Sequence, residues 1–167
     1  MMRSAAAPVF EDVTALRAHV DATGAENVVL ANGCFDPLHV GHVRYLEDAR
    51  RHGDFLVVAL NNDASTRRLK GEGRPVVSEQ DRARLLAAIA CVDAVLVFGA
   101  DNVEDILARL HPSVHAKGTD YTEATVPEAA VARRLGIRTV ITGDPKAHAS
   151  REIVARVRRP GGGDTAS

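Results

Sequence analysis

Three features are scarce in this sequence of 167 residues: cysteine, net charge and long apolar runs. Its two cysteines, Cys34 and Cys91, are too few for a disulfide framework, which excludes a small disulfide-stabilised domain. A formal net charge of −1 supplies no overall positive field, so neither nucleic acid nor an anionic membrane surface is an expected partner. Any site for an anionic ligand must therefore be local.

No apolar segment approaches the roughly 20 residues that cross a bilayer, and residues 1–8 contain no apolar stretch long enough for a signal peptide. The hydrophobic fraction of 46% and the charged fraction of 26% are those of a soluble globular protein. We expect a reduced, cytoplasmic protein with one ordered domain over residues 10–159. Residues 1–9 and the Gly-rich tail at 160–167 are expected to be disordered ends.

Short apolar segments alternate with longer amphipathic ones along the chain. The predicted strands cover residues 28–31, 55–60, 94–98, 113–116 and 138–141. The predicted helices cover residues 11–20, 41–51, 78–89, 103–110, 127–135 and 150–158. This alternation implies an α/β, doubly wound fold: a five-stranded parallel sheet with right-handed crossovers and helices on both faces. Ligands bind such sheets at the carboxyl ends of the strands.

The segment Asn-Gly-Cys-Phe-Asp-Pro-Leu-His-Val-Gly-His, residues 32–42, directly follows the first predicted strand. Gly33 lets the backbone turn tightly while presenting N–H groups to an anion, and Gly41 has no Cβ to obstruct a ligand. His39 and His42 are three residues apart and share one face if the turn is helical. Two imidazoles beside free backbone N–H groups at a helix N-terminus predict a triphosphate site.

Transfer of a nucleotidyl group suits these residues. Negative charge builds on the oxygens around the α-phosphorus and on the departing pyrophosphate, and rigidly held donors stabilise that charge. The attacking group is a phosphate oxygen, which is already anionic at neutral pH. No general base or covalent nucleophile is therefore required.

Other interpretations of this segment are weaker. A structural role is usual for a lone histidine, but less so for two that bracket a glycine. Cys34, His39 and His42 can ligate zinc, yet no fourth ligand follows at a standard spacing. A non-catalytic dinucleotide-binding module would carry Gly-x-Gly-x-x-Gly after the strand, and this sequence lacks it.

His39-Val40-Gly41-His42, within this segment, resembles the signature of the HxGH nucleotidyltransferase superfamily, which has a Rossmann-like fold. Class I aminoacyl-tRNA synthetases carry a related signature, but this chain lacks their Lys-Met-Ser-Lys-Ser-like loop. The resemblance implies that His39 and His42 are catalytic and that Asp36 contacts the second substrate. It also implies nucleotide contacts from Gly33, Cys34, Phe35 and Gly41.

Later segments are similar to one branch, the bacterial D-glycero-D-manno-heptose 1-phosphate adenylyltransferases. They are Asn-Asp-Ala-Ser-Thr-Arg-Arg-Leu-Lys-Gly-Glu-Gly-Arg-Pro-Val at 62–76, Asp-Arg at 81–82 and Lys-Gly-Thr-Asp-Tyr at 117–121. The similarity extends over residues 27–157. It implies nucleotide contacts near the base and ribose from Lys117, Gly118 and Asp120, although Thr119 stands where a second glycine is usual.

The first of these segments predicts a mobile loop that closes over a triphosphate. Its cations are Arg67, Arg68, Lys70 and Arg74. The resemblance implies a catalytic contact from Lys70 and substrate or phosphate contacts from Arg67 and Arg82. The alternatives are a solvated charged loop and, for Arg82, a surface ion pair with Glu79.

The end of the chain departs from the family pattern. Ser150 begins the last predicted helix and is expected to cap it, to bind phosphate, or both. The segment Ala-Ser-Arg at 149–151 replaces a Ser-Thr-Thr-like run. Thr-Gly-Asp-Pro at 142–145 also differs from the Arg-Thr-Glu-Gly of glycerol-3-phosphate cytidylyltransferases, which favours ATP over CTP.

The resemblance as a whole implies transfer of AMP from ATP to a sugar 1-phosphate, with a heptose 1-phosphate as the expected acceptor. Mg²⁺ is expected to accompany the triphosphate, without a dedicated metal site on the protein. One alternative is a cytidylyltransferase that uses CTP and a small phosphorylated alcohol, sugar or phosphonate. Another is a non-catalytic nucleotide-binding protein. The resemblance alone suggests a homodimer.

Overall fold

A computed structural model describes residues 6–145 and 150–158. The strands in this part of the chain are β1 (Val9–Phe10), β2 (Val28–Gly33), β3 (Phe55–Asn61), β4 (Ala94–Phe98), β5 (Val114–Gly118) and β6 (Arg138–Thr142). The helices are α1 (Val13–Thr23), α2 (Val40–Arg50), α3 (Asp63–Lys70), α4 (Glu79–Ala87), α5 (Glu104–Leu110), α6 (Ala129–Arg134) and α7 (Ser150–Arg158).

The strands form one parallel sheet in the order β1-β4-β3-β2-β5-β6. In the centre, Val29 of β2 stands beside Leu56 of β3 on one side and Val114 of β5 on the other. The chain builds outward from β2 through β3 to β4, and then returns to place β5 and β6 on the opposite side of β2. The winding therefore reverses between β2 and β5, where a crevice is expected.

The central strands are buried on both faces because helices cover each side. Alternate residues such as Val29 and Val58 pack with Leu46 of α2 and Leu86 of α4. The strand residues on the opposite face of the sheet, such as Leu30, pack with α1, α5 and α6. All seven residues of β3 are buried, which explains why its sequence is continuously apolar from Phe55 to Leu60.

The structure corrects the predicted strand number from five to six. The additional strand, β1, pairs Val9 with Val95 at the edge of the sheet. A strand of two residues is too short to show the alternation of apolar and polar residues by which a strand is predicted from sequence. Ordered structure also begins before residue 10, since the buried Ala7 donates its N–H to the carbonyl of Ala87. The expected disordered segments 1–5 and 160–167 lie outside the described residues.

A second correction concerns the predicted cationic loop. Residues 63–70 form helix α3, capped by Asn62, whose side chain accepts the N–H of Ser65 at 2.9 Å. The loop itself begins only at Gly71. Arg67, Arg68 and Lys70 therefore lie in the last turns of a helix, where cations stabilise the helix dipole.

Within the described residues, none of the helices has the length and apolar character needed to span a lipid bilayer.

Candidate active site

A cavity of about 650 Å³ lies at the carboxyl ends of β2 and β5, the strands between which the winding reverses. It is lined by the turn between β2 and α2, by residues 117–121 at the end of β5 and just beyond it, and by residues 142–145 at the end of β6 and just beyond it. The end of α3 and residues 101–102 after β4 also contribute to its lining. This volume is within the usual range for a pocket that binds a small-molecule ligand.

His39 and His42 begin helix α2 and form a reciprocal cap. Nδ1 of His39 accepts the N–H of Gly41 at 3.1 Å, and Nδ1 of His42 accepts the N–H of His39 at 3.3 Å. A neutral imidazole that accepts at Nδ1 carries its proton on Nε2. The ring centroids are 3.9 Å apart and both residues line the cavity. The helix start thus holds two adjacent rings, each with an Nε2–H donor.

His42 is neutral at pH 7. Burial lowers the pKa of its imidazole to about 3, with His39 and Lys70 acting in the same direction and Asp120 opposing them. The ring also packs edge-on against Phe35, with centroids 5.1 Å apart. His42 can therefore donate a hydrogen bond to a phosphate oxygen without first losing or gaining a proton.

All the predicted nucleotide-binding residues of the turn line the cavity: Gly33, Cys34, Phe35 and Gly41. A Cβ on Gly33 would stand 3.3 Å from the ring of Phe35, whose own backbone is left-handed, with φ of 48°. Glycine at position 33 therefore allows the ring to pack against the turn. The N–H of Gly41 at the helix start donates to Nδ1 of His39.

Lys70 is the last residue of α3 and lines the cavity, close enough for its charge to depress the pKa of His42. The helix therefore carries the predicted catalytic lysine to the two histidines. Arg67 is exposed and is not among the cavity-lining residues. Arg68 pairs with Asp101 at 2.8 Å. The predicted substrate contact from Arg67 is thus not supported by its position.

Asp36 and Arg74 form a buried ion pair at 2.7 Å, with side chains 0% and 10% exposed. The Asp36 carboxylate also accepts the N–H groups of Val76 at 2.8 Å and Val77 at 2.9 Å. Arg74 donates a further hydrogen bond to the backbone carbonyl of Asp36. Both residues line the cavity, and the oxygens of Asp36 hold residues 74–77 against the turn, so the substrate contact from Asp36 stays a prediction.

Arg82 is fully buried and does not line the cavity. Its guanidinium donates to the carbonyls of Cys34 at 2.7 Å, Asn61 at 2.8 Å and Val77 at 2.8 Å. It also pairs with Asp63 at 2.7 Å. Both expectations for Arg82, a phosphate contact and a surface pair with Glu79, are corrected, because these four partners occupy the guanidinium behind the cavity wall.

The predicted contacts after β5, Lys117, Gly118 and Asp120, line the cavity as well. Lys117 is buried, with Nζ 3.7 Å from Glu128 Oε2 and 3.5 Å from Asn32 Oδ1, and it lies over the Tyr121 ring at 4.7 Å. Burial lowers the pKa of Lys117, and the Glu128 carboxylate opposes this effect. The lysine is therefore part of the wall rather than a flexible surface cation.

Sequence reasoning missed Asn32 and Glu128, which line the cavity on either side of Lys117. Asn32 Oδ1 is 2.9 Å from Nε2 of the buried His115. Glu128 follows Lys117 by eleven residues and belongs to no motif, so only the fold brings the two together. The hydroxyl of Thr119 donates to the Asp144 carbonyl at 3.0 Å, which ties the loop after β5 to the loop after β6.

Ser150 is the first residue of α7, as predicted. Its side chain, and residues 146–149 before it, lie outside what the structure describes. Its capping and phosphate-binding roles therefore stay predictions.

Comparison with known proteins identifies the family to which this chain belongs. Residues 30–159 match the family model described as cytidylyltransferase-like. The bifunctional protein HldE of Streptomyces coelicolor is 48% identical over 152 residues, which are 91% of this chain and 33% of that protein. HldE of Pelobacter propionicus is 49% identical over 124 residues, 74% of this chain and 25% of that protein. The chain thus spans a third or less of the length of these curated relatives.

Solved structures share the fold. A lipopolysaccharide core biosynthesis protein from Thermoplasma volcanium matches with a TM-score of 0.61 and 26% identity, covering 72% of this chain and 98% of that one. Pantothenate synthetase from Thermus thermophilus matches with a TM-score of 0.63 over 87% of this chain and 67% of its own. At 21% identity, this second likeness concerns the fold alone.

Proposed function

Because the chain belongs to the cytidylyltransferase-like family of nucleotidyltransferases, we propose that it transfers AMP from ATP to a sugar 1-phosphate, with a heptose 1-phosphate as the first candidate. Support for ATP and the sugar comes from the motifs at 62–76 and 117–121. The similarity to the bifunctional HldE proteins and to a lipopolysaccharide core biosynthesis protein agrees with a sugar-linked role in the cytoplasm, where ATP is available.

The observation that carries this proposal is the pair of capped histidines at the cavity. Each Nδ1 is held by a backbone N–H, which fixes the ring orientation and leaves the proton on Nε2. In the proposed reaction these donors and Lys70 bind oxygens of the triphosphate. They stabilise charge that develops as the bond to pyrophosphate breaks, and rigid donors do so without reorganisation.

The proposed step is an in-line displacement at the α-phosphorus. An oxygen of the acceptor phosphate forms the new P–O bond, while the bond between the α-phosphorus and the bridging oxygen breaks and its electron pair leaves with pyrophosphate. The attacking oxygen is already ionised, so no proton is transferred to the protein. Catalysis then rests on positioning and charge stabilisation, which fits a neutral His42.

Mg²⁺ is proposed to enter with the triphosphate and to neutralise part of its charge. Within the described residues, no three potential metal-ligating side chains are grouped together. In this proposal the ion is held by phosphate oxygens and water, and His39, His42 and Lys70 bind other oxygens of the triphosphate.

CTP is the second candidate donor, because the matched family is described as cytidylyltransferase-like. Its acceptor would be a small phosphorylated alcohol, sugar or phosphonate. Binding of a nucleotide without turnover is the third candidate, and it rests on the Ala-Ser-Arg departure at 149–151.

The first experiment measures pyrophosphate release with ATP, CTP, GTP or UTP, each with Mg²⁺ and a panel of sugar 1-phosphates that includes heptose 1-phosphate. We expect release with ATP and heptose 1-phosphate. Release with CTP alone would transfer the proposal to the second candidate. Nucleotide binding without release from any pair would contradict both enzymatic candidates.

A further inference from the structure

Glu128 is a buried carboxylate in the cavity wall that the proposed reaction does not use. It precedes α6, its side chain is 4% exposed, and it lines the cavity. Within the described part of the chain its Oε2 has no hydrogen-bond partner. Lys117 Nζ approaches it to 3.7 Å, which is close enough for electrostatic attraction but beyond hydrogen-bond length.

An unpaired acceptor is unusual in a folded protein. Buried polar groups nearly always have a partner, and leaving one without any costs free energy. The Nζ of Lys117 attracts the carboxylate but lies beyond hydrogen-bond length from Oε2, and it also lies near Asn32 and over the ring of Tyr121. A bound ligand that offers an N–H or O–H group would remove this cost.

The position of Glu128 indicates which ligand group that is. Glu128 and Lys117 belong to the β5 side of the cavity, whereas the end of α3 and residues 101–102 line it from the β3 and β4 side. The histidine pair begins α2, directly after the central strand β2, between these two sides. A carboxylate repels the phosphate of an acceptor but suits the neutral, donor-bearing nucleoside of a triphosphate.

We propose that Glu128 Oε2 accepts a hydrogen bond from the nucleoside of the bound triphosphate, from a ribose hydroxyl or from the exocyclic amine of the base. The assignment rests on the proposed function, in that the ligand is the nucleotide substrate. Lys117 is then the positioning residue, since its Nζ lies 3.7 Å from Oε2 in the wall.

The test compares Glu128→Met with Glu123→Met, a matched change at an exposed glutamate on the same connection between β5 and α6. Binding of a non-hydrolysable ATP analogue is measured by calorimetry without acceptor. Loss of a hydrogen bond to a charged group predicts a Kd increase of about 10-fold to 100-fold for Glu128→Met. Glu123→Met is expected to bind within about twofold of the unmodified protein, as is usual for a surface change.

Three further ATP analogues identify the donor: one lacks the ribose 2′-hydroxyl, one the 3′-hydroxyl and one the 6-amino group. The analogue without the donor that Glu128 binds should bind the unmodified protein more weakly, with no further loss in Glu128→Met. The other two analogues should bind Glu128→Met more weakly than they bind the unmodified protein, by the same factor as the non-hydrolysable ATP analogue. The proposal would be overturned if Glu128→Met weakened the binding of every analogue by the same factor, or if it left the binding of the non-hydrolysable ATP analogue unchanged.

Two controls keep the result interpretable. If Glu128→Met does not fold because Lys117 is left unpaired, the same series is measured with the double variant Lys117→Met/Glu128→Met, compared with Lys117→Met alone. The binding series needs no turnover, so absence of pyrophosphate release contradicts the proposed function without deciding this inference. If CTP is the substrate, the series uses the corresponding cytidine analogues.

Discussion

At the scale of single residues, His39 combines a structural role on one nitrogen with the proposed chemical role on the other. Its Nδ1 caps α2 by accepting the N–H of Gly41, and its Nε2 carries the remaining proton in the neutral ring. His42 repeats this arrangement with the N–H of His39. The two roles can be separated by a side chain that reproduces only the capping acceptor.

We expect His39→Asn to lower kcat by about 100-fold to 1,000-fold, because the amide retains an N-cap acceptor but has no donor at the Nε2 position. The free energy of unfolding should change by less than about 0.5 kcal/mol, because asparagine is a favourable cap. Pyrophosphate release and urea unfolding check the two quantities.

His111→Asn is the matched control for this change. His111 is exposed at the end of α5 with φ of 49°, a left-handed conformation that asparagine accepts. It should leave kcat unchanged. Full activity in His39→Asn would remove His39 from the mechanism.

Residue type alone did not predict which cations face the ligand. Arg74 and Arg82 stand in the motifs that suggested phosphate contacts, yet both are occupied by protein oxygens. Lys70, from the same cationic run, lines the cavity as Arg74 does, and its charge acts on His42. An arginine has five donors in a fixed fork and suits several carbonyls at once, which explains its use as a buried connector.

At the scale of elements, α3 and the turn before α2 depend on α4. Arg82 of α4 binds the Cys34 carbonyl of the turn and the Asp63 carboxylate at the start of α3. The first contact supports the histidines, and the second fixes the helix that ends at Lys70. A helix without an apolar stripe, such as α3, is stabilised by these contacts and by its caps rather than by its own sequence pattern.

We therefore expect Arg82→Met to reduce the free energy of unfolding by about 3–5 kcal/mol, since the carbonyls of Cys34, Asn61 and Val77 each lose a hydrogen bond and Asp63 loses its ion-pair partner. Urea unfolding at neutral pH measures the loss. Arg84→Met on the exposed face of the same helix should change stability by less than about 0.5 kcal/mol. An equally small effect in Arg82→Met would show that the four contacts are not required.

At the scale of the whole molecule, the reversal of the winding brings residues 32–42 and residues 117–121 to one crevice although they lie about 80 positions apart in the chain. Burying such a crevice also buries ionisable groups. His115 is fully buried, and burial followed by the charge of Lys117 lowers the pKa of its imidazole to about 3. His42 is shifted in the same direction.

This makes stability depend on pH. Between an unfolded-state pKa of 6.5 and a folded-state pKa of about 3, the unfolded chain binds more protons at His115. Stability is therefore complete above about pH 6.5 and falls as the pH drops toward 3. From pH 7 to pH 5 we expect His115 alone to contribute a loss of about 2 kcal/mol, to which His42 adds.

Urea unfolding at pH 7 and pH 5 tests this expectation with His115→Gln, which retains a donor for Asn32. The variant should lose less stability than the unmodified protein over this interval, whatever its stability at pH 7. His111→Gln serves as the control and should lose as much as the unmodified protein. Equal losses in all three would rule out His115 as a source of the dependence.

The sequence by itself determined the α/β class, the parallel sheet and the location of the turn that carries His39 and His42. Continuous apolar strands and amphipathic helices are local patterns with their own periods, and the motif at 32–42 is contiguous. It also predicted that Lys70, Lys117, Gly118 and Asp120 would meet that turn, because each follows or lies near the carboxyl end of a strand.

Only the tertiary structure decided what the remaining polar residues contact. The edge strand β1 depends on pairing with β4, since its two residues carry no pattern. Arg74 and Arg82 contact partners that are distant in the chain, and Glu128 lies beside Lys117, to which no sequence motif links it, because a charge removed from water must find compensation wherever the fold supplies it. These contacts depend on three-dimensional packing, so they cannot be predicted from a local sequence pattern.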